Sequence, residues 1–179
     1  MSWFKKTHSI LILIAALTAC KSADQAPDIK NTYFDIRGFF NSEASRLSAS
    51  KPMVAKMITD DSTSEKKNIR IANWENELAL FSASDINKPS WRDSYEVTQK
   101  ADITTYTAVE EGLRTRLISI KKNASGKTVL IGIHNKTSNL LYSSEESLEY
   151  FPDSLYRIEK HQDIKLLGAH RYVIEGKLR

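Results

Sequence analysis

Three histidines beyond the first twenty residues, His134, His161 and His170, are the side chains best suited to proton transfer or metal ligation near neutral pH. A metal would need them to converge with Glu159 or Asp163 in space. No two of them have the short ligand spacing that marks such a site in a sequence, so neither a metal nor another cofactor is expected. A serine hydrolase site could be assembled in space around any of the three. The chain has no Gly-x-Ser-x-Gly elbow, however, and no alternation of strands and helices to carry one. Carboxylates are adjacent at Asp60-Asp61, Glu110-Glu111 and Glu145-Glu146. Neighbours on a strand point to opposite faces, and each pair reads as part of a solvated polar turn, so spacing alone makes no acid–base couple. Asn123 to Thr128 ends like a phosphate-binding loop. The first glycine of such a loop is replaced by Lys121, and a strand rather than a helix follows Thr128.

Arg114 and Arg116, two apart in a strand-like segment, share a face. They could contact an anion or a lipid headgroup, or pair with glutamates on neighbouring strands. Trp91 follows Pro89 between the helical and sheet-forming parts of the chain, where an aromatic either plugs the core or marks a contact surface. These three residues are the candidate binding surface. No basic stripe interleaved with aromatics is present, and no nucleic-acid partner is expected.

Cys20 is the one cysteine in 179 residues. It closes a segment in which Lys5 and Lys6 precede an uncharged, mostly apolar run from Ile10 to Ala19, the pattern of a secretory signal too short to span a bilayer. Leu17-Thr18-Ala19-Cys20 resembles the lipobox of bacterial lipoproteins. The resemblance implies a diacylglyceryl thioether on Cys20, cleavage between Ala19 and Cys20, and acylation of the new amino terminus. Lys21 after the cysteine, rather than Asp, favours the outer membrane by analogy with lipoprotein sorting, with the periplasmic or the outer face left open. In size and element order the chain resembles the small envelope lipoproteins of Bacteroidota-type bacteria. The formal charge of +4 includes Lys5 and Lys6, and no acid falls in residues 1–19, so the mature balance is +2.

The elements that must position these groups follow from periodicity. Residues 1–19 are read as the signal, 20–32 as acylated cysteine and polar tether, and 33–179 as one domain. Ile36, Phe39, Phe40, Ala44 and Leu47 mark one face of a helix over Tyr33–Leu47. Met53–Thr59 and Asn68–Ile71 read as strands joined by a polar turn. Asn73 caps a second helix with Trp74, Leu78 and Phe81 as its stripe, ending before Asp85–Pro89. From Tyr95 the period changes to two, with strands at 103–109, 113–121, 128–134, 139–143, 147–151, 155–162 and 169–176. The expected fold is α+β: two N-terminal helices packed on one face of a mostly antiparallel sheet of about six to eight strands. The function expected is that of a lipid-anchored envelope protein of non-enzymatic type, binding a protein partner or an apolar ligand at the outer membrane. The alternative is an envelope hydrolase with a spatially assembled histidine site.

Overall fold

A computed structural model describes residues 32–179. The signal, the cleavage site at Ala19 and Cys20, and nearly all of the tether lie outside the described residues. A nine-stranded antiparallel sheet dominates the domain: β1 (Met53–Asp60), β2 (Thr63–Arg70), β3 (Tyr95–Lys100), β4 (Ile103–Ala108), β5 (Thr115–Lys122), β6 (Thr128–Ser138), β7 (Tyr142–Phe151), β8 (Leu155–Ile164) and β9 (Gly168–Leu178). From β3 to β9 each strand pairs with the next. β9 then pairs with β1, which puts β2 and β3 at the two edges.

This overturns the expected α+β arrangement of two N-terminal helices on a smaller sheet. Among the described residues one helix of length exists, α1 (Ile36–Ser50), capped by Asp35, whose carboxylate accepts from the Gly38 N–H at 2.8 Å. The expected second helix is two four-residue pieces, α2 (Trp74–Glu77) and α3 (Ala79–Ser82). They are separated at Leu78, where φ −98° and ψ 9° leave the helical region. Asn73 does cap α2, accepting from the Asn76 N–H at 2.9 Å. A run this short makes too few internal hydrogen bonds to outweigh its nucleation cost, so tertiary contacts dictate its path. The expected strands at 139–143 and 147–151 are one strand, β7, preceded by a turn at 139–141. β3, which periodicity did not separate from its surroundings, is an additional edge strand.

The topology explains why helical turns are needed at all. After β2 the chain lies at one edge of the sheet and must reach β3 at the other. From β2 to β3 that is eight inter-strand steps of about 4.8 Å, or roughly 38 Å. The segment from Ile71 to Ser94 makes this crossing over the inner face, and its contacts mark the route. Glu77 meets Lys56 of β1 and Tyr156 of β8, and Phe81 meets Tyr150 of β7. Ser84 then meets Asn135 of β6 and Thr115 of β5, and Trp91 meets Tyr95 of β3. α1, about 22 Å long by its residue count, crosses in the other direction, from Tyr33 against Tyr95 and Tyr106 to Lys51 and β1.

Together the two crossings fill the lower inner face. Ile36, Phe40, Ala44 and Leu47 of α1 join Trp74, Leu78, Phe81 and Ile86 in one cluster with the strand residues. Register aligns the strand residues in rows. One row runs Tyr106–Ile118–Ile133–Leu148–Ile158–Ile174–Ile58 across seven strands. Beside it run Ile120, Ile131, Tyr150, Tyr156 and Gly176.

Candidate functional site

The next row towards the β6–β7 turn is polar. Thr115, Asn135, Glu146, Lys160, Tyr172 and Asp60 are successive cross-strand partners from β5 to β1. Glu146 is only 6% exposed, and it accepts from Arg114 Nη2 at 2.6 Å and from Asn135 Nδ2 at 3.2 Å, with Lys160 Nζ at 3.6 Å. Asn135 Nδ2 also donates to Ser84 Oγ at 2.9 Å, and Thr115 Oγ1 donates to the Ser84 carbonyl. The row thus ties the crossing segment to the sheet through hydrogen bonds instead of apolar packing. Two cations around one buried carboxylate keep its charge compensated, as a buried ion requires.

Above the polar row the strands end in turns that expose leucines. Leu140 is 92% exposed and Leu166 93%, with Leu141 and Leu167 also exposed. The β6–β7 and β8–β9 turns that carry them are adjacent, joined by the Lys165 N–H donating to the Leu141 carbonyl at 3.1 Å. Isolated exposed leucines need no explanation, whereas four at two joined tips make a patch. They do not extend the core, because the polar row and a further row of Thr137, Ser144 and Gln162 lie between. Tyr142, at the base of the first tip, accepts from Gln162 Nε2 at 3.1 Å.

Two open clefts flank the tips. One, of about 480 Å³, is lined by Asp61, Glu145, His161, Asp163, His170 and Arg171 among others. His161 sits 3.1 Å from Glu159 and His170 3.1 Å from Asp61. The Arg171 backbone N–H and the His170 ring hold the Asp61 carboxyl below its usual range. The other, of about 580 Å³, brings together Arg114, Arg116, His134, Lys136 and Glu111. So His161 and His170 share a cleft while His134 lies in the other, and the hydrogen-bond partners of the first two are carboxylates. Among the described residues no group of three or more His, Cys, Asp or Glu side chains could hold a metal ion.

Of the candidate surface residues, Arg114 and Arg116 do line one cleft, but they are employed differently. Arg114 reaches over the rim to buried Glu146, whereas Arg116, half-buried like it, donates to the Glu110 carbonyl. A register shift between Thr115 and Leu117 places Arg116 in a bulge. Trp91 packs partly buried on the core beside Tyr95, under the Lys88 ammonium at 3.7 Å, and its carbonyl accepts from the Tyr33 hydroxyl. Glu145-Glu146 lies within β7 and not in a turn. Its two carboxylates take opposite faces, Glu145 to Lys136 and Glu146 to Arg114.

The outer face of the sheet is an ionic lattice. Glu159 accepts from Arg157 at 2.9 Å and from Arg171 at 2.8 Å, which holds its pKa at about 2. Glu175 pairs with Arg157 and Lys177. The leucine tips are not legible in periodicity: in an expected strand at 139–143 Leu140 and Leu141 alternate between faces, and Leu166 and Leu167 fall in a connection between expected strands that nothing marks as a neighbour of the first. Two signals could have found them. One is the Asn139 carboxamide, which accepts from the Leu141 N–H at 3.0 Å and builds the turn; the other is Gly168, whose φ of 86° ends the second tip.

No helix among the described residues is long and apolar enough to cross a membrane. Comparison with protein-family models, with curated proteins and with solved structures finds no match to this chain.

Proposed function

We propose that the chain is a lipid-anchored envelope protein that works by binding, not by catalysis, and that its binding surface is the leucine rim. The observation that carries this reading is the pair of joined tips with four exposed leucines, set apart from the core by polar rows. Of the two occupants expected from the sequence, an enclosed apolar ligand has less support. The inner face that would hold it is occupied by α1 and the crossing segment, with Phe40 and Phe81 4.8 Å apart and Tyr150 beside both. The anchor rests on Cys20, through the lipobox resemblance, and the outer membrane remains its proposed site.

A photoreactive amino acid placed at Leu140 or Leu166 of the full chain in cells tests the rim, with Ser125 at the opposite end of the sheet as control. Adducts to protein or lipid are expected from the two rim positions and not from position 125. No adduct from either rim position would refute the rim as the binding surface. For the anchor, Cys20→Ala is expected to leave unprocessed chain and to abolish membrane fractionation of the mature form; unchanged processing would refute it.

A further inference from the structure

Resting on that reading of the rim, we infer that its occupant is the lipid bilayer itself: the two leucine tips dip into the apolar boundary of the membrane that carries the anchor. Shape argues for this occupant. The leucines project from hairpin turns and line neither of the two clefts beside them, so a folded partner would need a matching cavity, whereas acyl chains conform to a projection. Composition argues the same way. Each tip places its leucines beyond polar residues, and Tyr142, an aromatic with a polar end, stands between apolar tip and wet strand, as interfacial tyrosines do. Charge at the rim is mixed, as a zwitterionic headgroup layer accepts: Lys165 lies in the second tip and Arg116 and Lys136 line the cleft beside the first, Lys136 paired with Glu145 at 2.7 Å, while Asp61 and Asp163 line the other cleft.

Geometry supplies the last argument. The chain enters the domain at Tyr33, whose N–H donates to Asn87 Oδ1 and whose hydroxyl donates to the Trp91 and Arg92 carbonyls. That connection leads into the N-terminal end of β3. Tyr95 there pairs with Ala108, the last residue of β4, at the same end of the sheet as the β6–β7 and β8–β9 turns. Thr32 lies twelve residue steps from Cys20, a reach of at most about 43 Å when fully extended. The segment that would carry the acyl chain thus joins the domain at the rim end of the sheet and not at the opposite end.

The test uses the full chain, purified from membranes and reconstituted in vesicles of phosphatidylethanolamine and phosphatidylglycerol. A reporter thiol is introduced by Leu140→Cys, by Leu167→Cys or, at the far end of the sheet, by Ala124→Cys, and labelled with an environment-sensitive fluorophore. Lipids brominated in their acyl chains are expected to quench the labels at 140 and 167 several-fold more than the label at 124. Equal quenching at all three positions overturns the bilayer as occupant. If, in addition, the rim photocrosslinks to a protein in cells, the rim remains the binding surface and only the bilayer inference falls. If it crosslinks to nothing, both readings fall.

Discussion

Gly176 decides how tightly the sheet closes on the crossing segment, and substituting it is a sharp test of the packing. It sits on β9 opposite Tyr156 and Lys56 and faces inward, with its place over the backbone filled by the Tyr156 ring. A Cβ at 176 would fall within the contact shell of Tyr156 Cε1, Cζ and Oη. The ring has little room to yield. Trp74 stands edge-on to it at 6.2 Å, and its hydroxyl donates to Glu77 Oε1 at 2.5 Å. Glu77 in turn holds Lys56 Nζ at 2.6 and 2.8 Å.

Two effects of Gly176→Ala oppose each other. Gly176 does not have a positive φ, so Ala suits its backbone and would reduce unfolded-state entropy, a gain of about 0.4–1 kcal/mol. Overpacking costs about 1–3 kcal/mol. If the ring escapes instead, a hydrogen bond to a charged group worth about 1.5–3 kcal/mol is lost, along with an aromatic pair worth about 0.5–1.5 kcal/mol. The loss outweighs the gain at the centre of either range, and a net destabilisation of about 1–3 kcal/mol is expected. For a domain of this size that lowers Tm by roughly 2–12 °C. Urea denaturation of the two forms measures it. A Gly176→Ala form as stable as the parent would refute the argument. Tyr156→Leu supplies the check on mechanism: in its background Gly176→Ala should cost at least about 1 kcal/mol less, since residues in contact couple.

Arg114→Leu is expected to destabilise by about 1–3 kcal/mol, because it leaves buried Glu146 without its shortest partner. Arg116→Leu, two positions away and bonded only to the Glu110 carbonyl, leaves no buried carboxylate without its partner and should stay within about 1 kcal/mol; equal losses in denaturant would show that the polar row does not hold the crossing segment. Acid should weaken the fold. Glu159 is depressed to about 2 by Arg157 and Arg171. At Glu43 burial pushes the carboxyl up, but the hydrogen bonds from Arg46 and Tyr150 outweigh it and leave it below the usual range. Groups with depressed folded values stabilise above the ordinary carboxylate range and lose that contribution as pH falls from 4.5 towards 2. The loss should be modest, since Arg157 and Arg171, which pair with half-buried Glu159, are themselves partly open to solvent, and denaturation midpoints at pH 7 and pH 3 measure it. Equal midpoints would refute it.

The parts of the fold written in local pattern were legible in the sequence. α1 has its stripe at helical spacing, and Asn73 caps a helix where a cap was expected. The hairpin at 123–126 forms around the Asn123 carboxamide, which accepts from the Ser125 and Lys127 N–H groups. The parts set by distant contacts were not legible. Trp74, Leu78 and Phe81 have helical spacing, yet they belong to a segment stretched across the sheet, whose path is dictated by Tyr156, Tyr150 and Asn135, from about 50 to about 80 residues away. Glu146 carried no sequence mark of burial, because the row that buries it joins six strands. The pairing of β1 with β9 links the two ends of the domain, and no local window records it.

A filled inner face and an apolar rim are consequences of one topology. A sheet that leaves its first hairpin at one edge must send the chain over one face to start the meander at the other edge, and that crossing, with α1 beside it, occupies the space a carrier would keep open. Little apolar surface is then free to bind anything except at the turns, and two of these end in leucine pairs. Burying a leucine side chain is worth about 1.5–3 kcal/mol, so four give roughly 6–12 kcal/mol before costs. Free association costs about 4–15 kcal/mol in lost motion, so the rim alone would hold a bilayer weakly or not at all. A tether changes that balance, because it makes the second contact intramolecular at millimolar effective concentration. In the proposed arrangement the anchor and the rim therefore depend on each other. Rim docking should weaken sharply in the Cys20→Ala form, while the Leu140→Ser, Leu166→Ser double form should stay in the membrane fraction and lose only its orientation there. A Cys20→Ala chain that still holds its rim in vesicles as firmly as the parent would refute this coupling.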